Sequence, residues 1–192
     1  MDMKETFEIG LLAILVRLQV VTAEDAIAIE KSFHDSDVDQ FDDFLLSEDI
    51  VDEEHLLVAL SEYFQVPSFD AVGYFFERHY VRMFPKEMLT KNSIIPLEVD
   101  ENIMIVVASR PNDPELLFEI GQYVSYDIQF FVGIGRDIVD SVREFYDRAE
   151  TEVFDDGVED IEEDLLVGEF HMLEEEGEEG IVFTLEDEDR FE

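Results

Sequence analysis

Three aspartates at alternate positions, Asp35, Asp37 and Asp39, are the residues whose spacing most directly suggests chemistry. The same spacing begins the calcium-binding loop of EF-hand proteins, where carboxylate oxygens ligate the ion. That loop also requires a glycine at its sixth position and a glutamate at its twelfth, and these positions are Gln40 and Leu46 here. We therefore interpret the segment as an acidic linker between helices.

The other patterns that could carry catalysis or bind a cofactor are absent. The chain has no cysteine, and its histidines show no paired spacing for zinc: His34, His55, His79 and His171. No lysine follows a glycine-rich phosphate loop, and no serine lies in a nucleophile elbow. With 51 Asp and Glu residues, chance carboxylate pairs are inevitable. We expect no catalytic residue, no cofactor and no metal, and hence no enzyme.

The net charge of -39 restricts the partners of the chain. Such a field repels phosphate backbones and anionic membranes and attracts basic partners, so nucleic-acid binding is disfavoured. One basic island interrupts the acids: Arg78, His79, Arg82, Lys86 and Lys91. Its first interpretation is a solvated helix face whose charges offset neighbouring acids. The alternative is an anion or partner site, or a dock for the tail, with Arg78, Arg82 and Lys86 as the partner-binding candidates.

The N-terminal sequence predicts a cytoplasmic protein without direct membrane insertion. Its first five residues do not form the basic start of a secretory signal. The apolar run from Ile9 to Val21 carries Arg17 and spans about 13 residues. A bilayer-crossing helix needs about 20, so the run is typical of a core helix.

Apolar periodicity divides the chain into three zones. Residues 1–66 show helical spacing, with helix starts at Thr22 and Asp52. Residues 67–149 change to strand periodicity at 94–99, 102–108 and 126–132, and Pro114 and Arg136 begin helices. The fold class is therefore α+β, with a helical subdomain followed by a small α/β subdomain of about three strands.

Residues 150–192 form an acidic tail, with 20 acids against the single Arg190. Like charges at this density resist compaction, so we expect the tail to be disordered alone. Two apolar islands interrupt it, and we predict that they bind a partner through Leu166, Phe170, Ile181 and Phe183.

A repeat of 30 residues relates the two halves of the helical zone. The segment 15–24 (LVRLQVVTAE) corresponds to 45–54 (LLSEDIVDEE), and each copy indicates a helix, a turn and a capped helix. Further on come an Ile-Pro-Leu segment at 95–97, an apolar strand ending at Ala108, a proline-rich turn at 110–114 and a helix reaching Tyr146. In this order the chain resembles the N-terminal domain of type II secretion and type IV pilus assembly ATPases, over about residues 9–148.

The resemblance implies a binding domain without its motor, because no phosphate-loop motif is present. Family members that bind cyclic di-GMP carry Arg-Leu-Gly at the start of each repeat and glycine at the turn. The corresponding positions here form a degenerate motif, with Gly10 and Gln40 for arginine, Leu12 and Asp42 for the first glycine, and Gln19 and Asp49 for the turn glycine. Cyclic di-GMP binding is accordingly not expected.

The sequence thus predicts a non-enzymatic adaptor or regulatory module that docks on a protein of a secretion, pilus or motility machine. Two alternatives remain open at this stage. One is a cyclic di-GMP receptor with a divergent site, and the other is an acidic decoy that binds a basic protein. Finding the physiological partner separates the adaptor from the decoy, and a nucleotide titration tests the receptor.

Overall fold

The computed structural model describes residues 3–152 of the chain, with side chains for residues 7–148. The predictions for the tail beyond residue 152, including its four apolar candidates, fall outside this part. The described elements follow in chain order: α1 (Met3–Arg17), α2 (Ala23–His34), α3 (Phe41–Ser47), α4 (Glu53–Phe64), α5 (Arg78–Val81), α6 (Lys86–Asn92), β1 (Ile94–Asp100), β2 (Ile103–Ala108), α7 (Pro114–Ile120), β3 (Asp127–Val132) and α8 (Gly135–Glu152).

The four N-terminal helices, α1 to α4, form the helical region and repeat one geometry twice. Thr22 Oγ1 accepts a hydrogen bond from the Asp25 amide at 3.1 Å and caps α2. Asp52 Oδ1 accepts one from the His55 amide at 2.8 Å and caps α4 at the equivalent position. The predicted pair of capped helix-turn-helix units is confirmed.

Both units also end their first helix in the same way. The amide of Val20 donates to the Leu15 carbonyl at 3.0 Å, and the amide of Ile50 donates to the Leu45 carbonyl at 3.0 Å. These bonds belong to Schellman motifs, which place one residue in the left-handed conformation. That residue is Gln19 in the first unit, at φ 62°, and Asp49 in the second, at φ 52°. The turn geometry therefore exists without the glycine that would favour it.

The remaining elements, α5 to α8 with the sheet, form the α/β region. The strand order is β1-β2-β3, with β1 antiparallel and β3 parallel to β2. Asp113 caps α7 by accepting from the Glu115 amide at 2.9 Å, and Pro114 takes the first helical position as predicted. Helix α7 ends at Ile120, and the Gly121 amide closes its last turn on the Leu117 carbonyl. The α+β class is confirmed.

The end of β3 connects the two regions. Val132 donates to the Pro67 carbonyl at 2.8 Å and accepts from the Phe69 amide at 2.8 Å, so the segment after α4 lies against the sheet. Val132 and Ile134 are buried in the core of the helical region rather than in that of the α/β region. The same strand thereby brings the loop after β2 and the start of α8 against the helices. No helix within residues 3–152 is long and apolar enough to cross a membrane.

We predict that Gln19→Gly stabilises the protein. Left-handed φ costs an L-residue roughly 1–2 kcal/mol, and glycine removes this cost. Glycine also increases the conformational entropy of the unfolded chain, which opposes folding, so the net gain in stability is about 0.5–1 kcal/mol. Asp49→Gly should gain less, because aspartate tolerates this conformation better. Urea unfolding measures both. The control Ala13→Gly, on an exposed position within α1, should destabilise, and equal losses in all three variants would contradict the prediction.

Candidate functional site

Arg110, in the loop after β2, joins the α/β region to the helical region. Its Nη2 donates to Asp42 Oδ1 at 2.7 Å and to Gln40 Oε1 at 3.1 Å. Its Nη1 donates to the Ser109 carbonyl at 2.9 Å, and its guanidinium lies 4.3 Å from the centre of the Phe7 ring. The Arg110 side chain therefore contacts α1 and α3, the first helices of the two repeat units. Two of its partners, Gln40 and Asp42, occupy positions of the degenerate nucleotide motif.

Asp42 is almost fully buried, at 2% exposure. The equivalent residue of the first repeat unit is Leu12, which is buried as well. The fold therefore buries this helix position in both copies, and in the second copy it holds a carboxylate. A buried carboxylate is tolerated when a cation and hydrogen bonds compensate its loss of hydration, and Arg110 supplies both.

Gly10 is the motif position of the first copy that corresponds to Gln40. A Cβ atom on Gly10 would lie 2.5 Å from Cε2 of Tyr63. The Tyr63 ring also packs edge-on against Phe7, with 5.1 Å between ring centres. An aromatic ring thus covers the first copy where Arg110 covers the second. The turn residues Gln19 and Asp49 are both exposed.

A polar cleft of about 580 Å³ lies beside Arg110, between α3 and the start of α8. Its basic side chains are matched by acids: Arg136 donates to Glu53 at 2.8 Å, and Arg143 donates to Asp140 at 3.2 Å. Among the residues from 3 to 152, no group of three or more His, Asp or Glu side chains is arranged to hold a metal ion. Because its cations are already paired, the cleft does not present a concentrated positive charge to an anionic ligand.

Asp43, which also lines the cleft, lies in an environment that is unfavourable for its carboxylate. Burial raises the pKa of its carboxyl group, the neighbouring Asp42 raises it further, and Arg136 and Arg110 partly offset the effect. Its Oδ1 is buried without a hydrogen-bond partner within the described residues. The ionised form of Asp43 is consequently disfavoured in the folded protein.

The predicted basic island is spread over two helices and is partly neutralised. Lys86 donates to Asp147 at 3.0 Å, and Lys91 donates to Glu119 at 2.9 Å. Arg82 is exposed, and Arg78 lies on the wall of a groove that also includes Tyr74 and Phe145. The structure therefore brings Arg78 to an apolar surface and pairs Lys86 with an acid of α8.

Two residues of importance are missed by sequence reasoning. Arg110 was quoted only as part of a turn, although the repeat itself contains the signal for its role. Leu12 lies on a buried stripe, so its counterpart Asp42 must be buried and must have a cation. The second residue is Phe75, whose side chain is 82% exposed although its neighbour Phe76 is buried. Three consecutive aromatic residues in an irregular segment cannot all face one core.

The described part of the chain is a helical repeat pair joined to a three-stranded sheet with a long final helix. Residues 64–152 match the model of the MshEN domain family. This confirms the resemblance read from the sequence, and only the N-terminal domain of such ATPases is matched.

Solved structures show the same fold. A structure of MshE with cdg is 18% identical, covers 71% of this chain and 98% of its own, and has a TM-score of 0.56. The N-terminal domain of XpsE is 14% identical, covers 71% of this chain and 93% of its own, and has a TM-score of 0.53. No curated protein sequence matches the chain. At these identities the likeness concerns the fold.

We predict that Arg110→Met lowers the free energy of unfolding by about 2–4 kcal/mol, because it leaves a buried carboxylate without its cation. The double variant Asp42→Leu, Arg110→Met should recover to within about 1 kcal/mol of the wild type, since it restores the leucine of the first copy. Arg143→Met removes an exposed pair and should cost about 0–1 kcal/mol. Urea unfolding of all three decides the matter, and equal losses for Arg110→Met and Arg143→Met would contradict the role of Arg110.

A second prediction concerns the pH dependence of stability. The pKa of Asp43 is raised above 3.8 in the folded state. Between pH 3.8, the ordinary pKa of the group, and its higher pKa in the folded state, the folded protein binds more protons than the unfolded one. The stability that this group contributes is therefore present below that window and is lost as pH rises through it. Asp43→Asn should therefore be more stable than the wild type at neutral pH, and the difference should shrink toward and below pH 3.8. Unfolding curves across this range test it, with the exposed Asp37→Asn as the control for removing a charge. A difference that is constant with pH would contradict the prediction.

Proposed function

We propose that this chain is a non-enzymatic, cytoplasmic docking module that binds a protein component of a secretion, pilus or motility machine. The observation that carries the proposal is the occupation of the nucleotide-motif positions by the chain's own side chains. Arg110 covers Gln40 and Asp42, and the Tyr63 ring covers Gly10. Because the chain's own side chains cover the positions that would hold a nucleotide, the outer surface is left to bind a protein partner.

The motifs of the sequence and the extent of the family match also support the proposal. No phosphate-loop motif occurs in the chain, and the match to the ATPases is confined to their N-terminal domain. The charge of the chain disfavours nucleic acid and anionic membranes as partners. What remains is a folded, strongly acidic domain with exposed aromatic side chains.

Cyclic di-GMP binding is the second candidate, because one structure of the same fold is described with cdg. In the present chain the positions that correspond to arginine are Gly10 and Gln40, and Asp42 would repel a phosphate unless Arg110 left it. We expect no heat of binding when cyclic di-GMP is titrated into the full chain at micromolar concentrations. A dissociation constant in the micromolar range would replace the docking proposal by a receptor.

The docking proposal itself is tested by cross-linking the full chain in cells that produce it and identifying the linked proteins by mass spectrometry. We expect a pilus, secretion or motility component that remains bound when salt is raised, because apolar contacts are not screened. Recovery of basic nucleic-acid-binding proteins that are released by salt would instead establish the acidic decoy. Recovery of neither class would contradict both.

A further inference from the structure

A partly apolar groove of about 320 Å³ lies in the α/β region. One wall is the loop before α5, which carries three consecutive aromatic side chains from Tyr74 to Phe76. The other wall is α8, which contributes Ser141, Glu144, Phe145 and Arg148. These four residues follow the i, i+3, i+4, i+7 spacing of one helix face. The groove therefore runs along two turns of α8, or roughly 10 Å.

The loop holds its exposed aromatic residue in place from both sides. Phe76 is buried, and the Tyr74 ring packs against those of Phe69 and Phe76 at 5.0 and 4.9 Å. Ser141 Oγ donates to the Ala71 carbonyl at 3.0 Å and ties the start of the loop to α8. Phe75 lies between these anchored neighbours and still exposes 82% of its side chain. A rigidly presented aromatic side chain next to a cavity is typical of an interface hot spot.

The charge of the surroundings indicates which partner fits. The groove itself is balanced, since Glu77 and Glu144 are matched in number by Arg78 and Arg148, and Arg148 pairs with Glu144. Around it, residues 3–152 contain 32 acids against 11 basic residues, a formal charge of −21. An acidic domain of this charge attracts a cationic partner and repels a second copy of itself.

We infer that this groove, which we call the Phe75 groove, binds a basic amphipathic segment of a partner protein and takes a bulky apolar side chain of that segment between Phe75 and Phe145. The inference rests on the proposed docking function and names the surface that performs it. Basic side chains of the segment face the acidic surroundings, and its apolar side chain fills the cavity. The first contribution increases the rate of association, and the second provides the specific contact.

The test uses the full chain and a fluorescein-labelled helical peptide built from leucine and lysine in an amphipathic pattern. Fluorescence anisotropy at physiological salt should detect binding by the wild type, and Phe75→Ser should weaken it by about tenfold or more. The matched control is Phe118→Ser, which removes a phenylalanine on α7 that is 75% exposed and lies outside the groove. It should leave the affinity within about twofold, as is usual outside hot spots.

Three outcomes would overturn the inference. The first is no binding by the wild type, and the second is an equal loss in the Phe75 and Phe118 variants. The third is equally tight binding of a peptide whose leucines are all replaced by serine, because charge alone would then explain the complex. Thermal unfolding should be unchanged in Phe75→Ser, since the side chain it removes is exposed.

The same variant separates this inference from the proposed function. If cross-linking in cells captures a machine component with the wild type and loses it with Phe75→Ser, both stand. If both proteins capture it equally, the chain is a docking module but uses another surface. If sedimentation shows that the wild type self-associates and that Phe75→Ser does not, the groove belongs to a second copy and the inference falls.

Discussion

The buried carboxylate of Asp42 is the constraint on which the junction between the two regions depends. The repeat places this helix position inside the core, where its counterpart in the first unit is a leucine. A charge there requires a cation at hydrogen-bonding distance, and Arg110 meets the requirement from the α/β region. Around this pair the Gln40 amide, the Ser109 carbonyl and the Phe7 ring satisfy or cover the rest of the guanidinium. This ion pair therefore adds a buried polar contact to the apolar contact that Val132 and Ile134 make between the two regions.

This constraint also bears on function. Cations at the junction are held by neighbouring acids, with Arg110 on Asp42 and Arg136 on Glu53. An anionic ligand would have to break these pairs before it could be bound, and Asp43 would add repulsion whenever it is ionised. On the outer surface, by contrast, exposed aromatic side chains are surrounded by a net negative charge. These charges and contacts support the proposal that the chain binds a basic protein partner at a surface other than the junction.

The turns of the helical region show how geometry can persist under an unfavourable sequence. Schellman hydrogen bonds hold Gln19 and Asp49 in the left-handed conformation, although neither is glycine. Burial of the adjacent residues of each unit, Leu15 and Val21 in the first and Leu45 and Val51 in the second, supports the strained turns. Packing of the helices on either side of each turn therefore outweighs the conformational cost of its left-handed residue.

Sequence periodicity, caps and turn residues determined the secondary structure and its class. The alternation of apolar residues around 94–108, the Asp113-Pro114 start and the caps at Thr22 and Asp52 act over a few residues, so they could be recognised without a structure. The 30-residue repeat and the family resemblance were also visible at that level. The short helices α5 and α6 were not, because their four and seven residues show no clear period and neither has a side-chain cap to mark its start.

Only the tertiary structure decided what the polar residues do. Asp42 was interpreted only as an acid at a degenerate nucleotide-motif position, and packing makes it the buried partner of an arginine 68 residues away. Phe75 stands between two other aromatic residues in the sequence, and the anchoring of these neighbours leaves it in solvent. Helix and strand signals are local, whereas burial, ion pairing and exposure depend on which distant segments meet. For that reason the sequence determined the elements and their order, and the meeting of β2, α3 and α8 decided which side chains remain available for binding.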